Sequence, residues 1–154
     1  METTEIELRA IAFRGALERV PRNRFCKTTS LGCSPFPNGC CDDASLLLGA
    51  YLTDSGVEDV RRVSGSRIIG PGNEVSHAWL QANGLIVDIT GDQSLFGEHA
   101  NGPVVVCTSS PFHDEFDIEV GASGSGDFRR YFKLDKRSLV EFQANYSEVL
   151  SYLE

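Results

Sequence analysis

The sequence predicts an α+β fold, and three observations carry the prediction. Both ends of the chain show helical periodicity, and the middle is a series of short strand-like runs. Inside that series, Asn83-Gly84 separates two apolar runs. Helices and strands segregated in this way pack as helices against an antiparallel sheet. The chain has 154 residues, so a single domain over 1–154 is expected, domains commonly running to roughly 100–200 residues. That length buries a core without help from disulfides or metal.

The elements follow in order. Thr4 to Val20 reads as a helix, with Ile6, Leu8, Ile11, Ala12, Leu17 and Val20 near one stripe and Glu5, Arg9, Arg14 and Glu18 off it. Pro21 ends it. Residues 22 to 39 hold Pro35, Pro37, Asn38 and Gly39, which are turn formers. A second helix starts at about Cys40–Asp42 and runs to Thr53, apolar nearly all round and therefore buried. Asp54-Ser55-Gly56 stops it. Val60–Ile69, Glu74–Gln81, Leu85–Thr90, Val104–Thr108 and Glu115–Val120 read as strands, and Phe128–Leu134 as a last strand closing the sheet. Gly91–Pro103 and the Gly121–Gly126 stretch (G-A-S-G-S-G) read as loops; the latter fits neither a dinucleotide nor a P-loop pattern. Asp135 caps a final helix to Leu153, striped by Leu139, Phe142, Tyr146, Val149, Leu150 and Leu153.

Composition removes several classes of function. The net charge of −8 argues against a general nucleic-acid binder, which carries a basic stripe. No apolar run approaches the roughly 20 residues that span a bilayer. The acidic start, Met1-Glu2-Thr3-Thr4-Glu5, is unlike a signal peptide, so the expected place is the cytoplasm. The cysteines are Cys26, Cys33, Cys40, Cys41 and Cys107. An odd number without a secretion signal argues against a disulfide framework, and no C-x-x-C pair supports zinc. No cofactor or metal is expected.

One cysteine stands out by position. In Gly39-Cys40-Cys41-Asp42-Asp43 a turn enters an apolar helix. The first turn of a helix has unpaired N–H groups and a partial positive charge, which favour a thiolate and can hold an oxyanion. A histidine follows in Ser76-His77-Ala78-Trp79. A two-residue Asn83-Gly84 turn pairs positions whose numbers sum to 167, so His77 lies opposite Thr90 and Trp79 opposite Asp88. His77, Trp79, Asp88 and Thr90 then share one face, with Ala78, Leu80, Leu85, Val87 and Ile89 on the other. Asp88 is diagonal to His77 and within reach of it.

These residues, over about positions 36 to 93, resemble the transglutaminase-like branch of the papain-like cysteine protease superfamily. A G-x-C at a helix start, a strand histidine and an aspartate on the next strand occur in that order. The resemblance implies a papain/transglutaminase-like core in which the buried Cys-bearing helix packs on the sheet. It also implies a Cys41–His77–Asp88 triad, with Cys41 chosen over Cys40 by the G-x-C frame. The activity implied is thiol-dependent acyl transfer on an amide or isopeptide bond of a protein or peptide, as a peptidase, deamidase or transglutaminase. Asn38, Trp79 and Gln93 are the candidates for oxyanion or substrate positioning, and Asp92 is a rival to Asp88.

Other readings stand beside this one. A degenerate relative would act as a protein-binding module. A metal site built from cysteines and a histidine is disfavoured by its long spacings. Asp42 and Asp43 beside the sulfur would oppose a thiolate. His99 and His113 read as surface loop residues; Arg61, Arg62 and Arg67 read first as a solvated edge, with ion pairs or a substrate carboxylate as the alternatives.

Overall fold

A computed structural model describes residues 2–119 and 124–153. It is an α+β structure in which an antiparallel sheet carries helices on one face and an aromatic cap on the other. Helix α1 (Thr3–Arg19) buries Ile6, Ala10, Phe13 and Leu17, spaced by four, three and four. Leu8 and Ile11 are exposed, and Arg14 is buried. The stripe is therefore rotated from the expected one, because Phe13 and the Arg14 bridges choose the face that turns inward. A short α2 (Ser30–Cys33) precedes α3 (Cys41–Asp54), whose buried residues run nearly continuously from Asp43 to Leu52. The central helix expected from its all-round apolar sequence is present. Gly49 sits on it because a Cβ there would lie 1.9 Å from the Gly126 carbonyl oxygen.

The strands are β1 (Arg61–Gly70), β2 (Asn73–Ala82), β3 (Leu85–Asp88), β4 (Val105–Cys107), β5 (Asp117–Ile118) and β6 (Gly124–Ser125). Their order is β4-β3-β2-β1-β5, with β6 also on β1. Asn83 (φ 53°) and Gly84 (φ 73°) make the two-residue turn, and the pairs Leu80↔Val87, Gln81↔Ile86 and Ala82↔Leu85 keep the expected register. Strand β1 is internal rather than a solvated edge, since β2 lies on one side and β5 and β6 on the other. Of the expected Glu115–Val120 strand only Asp117–Ile118 pairs; Val120, like residues 121–123 of the glycine-serine stretch, lies outside the described residues.

Phe128–Leu134 does not close the sheet. It opens with the helical turn α5 (Phe128–Tyr131), because the Asp127 carboxylate accepts from Arg129 N–H and starts a helix there. Helix α6 (Lys136–Ser151) is capped by Asp135, which accepts from Ser138 N–H. Between β4 and β5 lies one more turn, α4 (Pro111–Asp114), with Ser110 as its cap and proline at its first position. The main core fills the space between the sheet and α1, α3 and α6. On the opposite face Val63, Val75 and Trp79 meet Phe96 and Phe116, with Phe112 packed against them. No helix among the described residues is long and apolar enough to cross a membrane.

Candidate active site

Cys41 is the first residue of α3 and half-buried. The residue before it, Cys40, caps the helix with no side-chain hydrogen bond. Its thiol is turned to the carbonyls of Ser30 and Asn38 instead. The first-turn N–H groups therefore have no side-chain acceptor from the cap. The two cysteines differ sharply in environment. Burial, then the charge of Asp43, pushes the Cys40 thiol up to about 12.

The loop before α3 is stitched to the loop after β3. Gly39 N–H donates to Gln93 Oε1 (3.0 Å), and Ser94 N–H donates to Asn38 Oδ1 (2.8 Å). Strand β3 ends at Asp88, so it no longer accompanies β2 at the level of His77, and these loops close on the ring there. His77 is 1% exposed and Asp88 is fully buried. His77 Nε2 lies 2.7 Å from Asp88 Oδ2, and Asp88 Oδ1 accepts from Thr90 N–H at 2.9 Å. The diagonal placement read from the hairpin is what the structure has. On its other nitrogen, Nδ1, His77 faces Gln93 Nε2 at 3.3 Å.

Cys41 completes the neighbourhood. Burial alone would discharge the His77 ring, but the charge of Asp88, the hydrogen bond to it and a hydrogen bond to Cys41 raise its pKa to about 9. Burial likewise opposes the Asp88 charge. The charge of His77 and the hydrogen bonds from His113 and His77 prevail and hold Asp88 well below the usual carboxylate range. Gln93 works against the His77 shift. Its Oε1 is fixed by Gly39, so its amide N–H is presented to Nδ1 and favours the neutral ring. Cys41 and His77 both line a cleft of about 110 Å³, together with Ser64, Ser76, Arg62 and Glu119. A larger cavity of about 610 Å³ beside Arg61 and Arg130 is lined by no cysteine or histidine among the described residues, so chemistry rather than size picks out the smaller cleft.

Several expectations need correction. Asp92 is no rival to Asp88, because Arg14 holds both of its oxygens at 2.8 Å. Asn38 ties two loops, its carboxamide oxygen taken by the Ser94 N–H. Trp79 lies on the expected face but is buried edge-on to His113, ring centroids 4.8 Å apart, rather than lining the cleft. The acids after the sulfur are both engaged elsewhere. Asp42 pairs with Arg62, whose guanidinium lies over the Tyr131 ring, and Asp43 accepts from the amides of Leu31 and Ser30. Arg62 thus offsets the charge that was expected to oppose a thiolate.

His113 was missed. It is 3% exposed, not a surface residue, and its Nε2 lies 2.7 Å from the same Asp88 oxygen that binds His77. The Ser110-Pro111 cap was visible in the sequence and announces a helical turn. Nothing local announces the contact with a strand 25 residues earlier. The three groups do not read as a metal centre. Ligands of a tetrahedral zinc at about 2.0–2.1 Å stand about 3.3 Å apart, whereas both ring nitrogens lie 2.7 Å from the oxygen, a hydrogen-bond distance. No cysteine joins such a cluster among the described residues. His99 is partly exposed beside Glu98, as expected. No family model, no curated protein and no solved structure matches this chain.

Proposed function

We propose that this protein is a cysteine-dependent acyl-transfer enzyme of the transglutaminase-like, papain-like type, acting on amide or isopeptide bonds of a protein or peptide. One observation carries the reading. A buried histidine is held through Nε2 by a buried carboxylate at 2.7 Å and lines one cleft with the cysteine that begins a buried helix. A nucleophile, a base and a group that orients the base are the minimum for covalent acyl transfer.

In this mechanism the proton exchanged between Cys41 and His77 rests on the imidazole, and the Cys41 sulfur attacks the carbonyl carbon as a thiolate. The oxyanion that forms is met by the backbone N–H groups of the first turn of α3. The C–N bond breaks, the leaving amine takes the proton from His77, and an acyl thioester remains on Cys41. Water or a second amine then attacks the thioester and gives its proton to His77, the C–S bond breaks, and the acyl group leaves as an acid or a new amide with the Cys41 thiolate and protonated His77 restored. Asp88 fixes the tautomer and stabilises the imidazolium throughout. Gln93 sets the plane of the ring from its Nδ1 side. Asp42 beside the cleft is balanced by Arg62, and Glu119 there favours a substrate with a cationic flank.

The test needs no known substrate. Iodoacetamide at about pH 6–7 should label Cys41 at least tenfold faster than Cys107 and leave Cys40 untouched, with His77→Ala abolishing the preference. An activated aryl acetate should leave its acetyl group on Cys41, found by peptide mass spectrometry and lost in Cys41→Ala. Equal labelling of Cys41 and Cys107 would overturn the proposal.

A further inference from the structure

The pairing of two histidines on one carboxylate oxygen is more than a Cys-His-Asp arrangement requires. We propose that His113 is a positioning residue that holds Asp88 in place and takes a share of its hydrogen-bonding capacity, which limits how tightly His77 keeps its proton. The inference rests on the acyl-transfer reading for its purpose, but its geometry and its first test do not depend on that reading.

The hydrogen bonds fix which atoms carry protons. Ser110 Oγ accepts the His113 backbone N–H at 3.3 Å as the cap of α4. Asp88 is held ionised and only accepts, so His113 Nε2 carries a proton and donates it to Oδ2 at 2.7 Å. In the neutral ring Nδ1 then accepts the Ser110 hydroxyl hydrogen, 2.6 Å away. The cap that starts α4 therefore supports the tautomer that Asp88 selects. Trp79 and Phe112 stand edge-on to the His113 ring at 4.8 and 5.0 Å and leave it little freedom to turn. Asp88 in consequence receives donors on both oxygens: Thr90 N–H on one, His77 and His113 on the other.

The consequence is electrostatic. A carboxylate buried with His77 as its main partner would draw the His77 proton strongly and release it poorly to a leaving amine. A hydrogen bond donated to a carboxylate stabilises its charge, so the His113 donor makes Asp88 a weaker base and returns proton mobility to His77. Other groups also face the pair. Gln93 meets His77, and Cys41, the Asp42–Arg62 ion pair and Glu119 line the cleft with it. The Cys107 thiol on β4 feels the charges of Asp88 and Asp114. Arg67 of β1 lies over the Phe112 ring next to His113.

The experiment is titration of the His77 imidazole by nitrogen–proton NMR in the full chain, in His113→Phe, which keeps the ring and removes the donor, and in His113→Gln, which keeps an N–H donor. In His113→Phe, His77 should hold its proton about tenfold more tightly, and His113→Gln should stay close to the parent. An unchanged or weaker hold in a folded His113→Phe overturns the proposal. If that variant does not fold, the parent spectrum decides: His113 must carry its proton on Nε2 alone, and a proton on Nδ1 refutes the assignment. Cys41 alkylation read alongside keeps the two proposals apart. A His77→Ala variant that leaves Cys41 labelling unchanged defeats the acyl-transfer reading, whereas the NMR result judges His113 by itself.

Discussion

Thermal unfolding followed from about pH 5 to about pH 10 should report the His77–Asp88 pair through proton linkage. His77 is buried and its pKa is raised from 6.5 to about 9. At about 1.4 kcal/mol per factor of ten, that rise corresponds to about 3 kcal/mol, an upper value because the Gln93 amide faces the same ring and opposes its charge. The folded state binds the His77 proton more tightly than the unfolded chain. The stabilisation is therefore complete below about pH 6.5 and is lost as pH rises through about 9. The partner acts at the other end. Asp88 is held below the usual carboxylate range, so its contribution is present above about pH 4 and is lost as pH falls further. For a chain of this size about 3 kcal/mol is about 6–12 °C in Tm. Circular dichroism melts should show a fall of that order between about pH 6.5 and about pH 9.5. His77→Gln, which cannot titrate there, should flatten it. Parallel curves for the parent and His77→Gln would refute the assignment of the buried pair.

Three further outcomes follow from neighbouring residues. Asp43 is pushed up to about 6 by burial, so its ionisation weakens the folded state as pH rises from about 4 through 6. Asp43→Asn should be no less stable than the parent at about pH 7 by urea unfolding, and its curve should be flat across that window. Gly49→Ala would put a Cβ 1.9 Å from the Gly126 carbonyl oxygen, both on backbone, and should lower stability by at least about 3 kcal/mol in the same assay. Gln93→Glu keeps an acceptor for Gly39 and gives the protonated Nδ1 of His77 an acceptor as well, so the pH at which Cys41 alkylation reaches half its plateau should move down by about 1.

The site was legible where short-range chemistry sets it. Asn83-Gly84 determines the hairpin register, and the register alone puts Asp88 on the face of His77. The turn-then-apolar pattern at Gly39–Cys41 marks the helix start that carries the sulfur. Long-range choices were not legible. His113 joins Asp88 only because α4 folds over the aromatic face of the sheet, and no periodicity encodes which strand a single turn will cover. The same holds for β1, whose arginines suggest an edge until β5 and β6 are seen beside it. For α5 the Asp127 cap outweighs the aromatic, strand-like composition of the segment. In α1 the sequence offers more apolar residues than the interface accepts, so the buried stripe is selected by what it meets.

Arg14 alters what counts as part of the site. Its guanidinium donates to Asp92, to the carbonyl of Ile89 and to the carbonyl of Pro103. It therefore clamps from outside the loop that carries Gln93 and leaves Asp88. Helix α1 lends no side chain to the cleft, yet it acts as the foundation on which one wall stands. A minimal fragment chosen by its reactive residues alone, starting after Pro21, would keep every group of the proposed chemistry and lose the fixture that holds them in register.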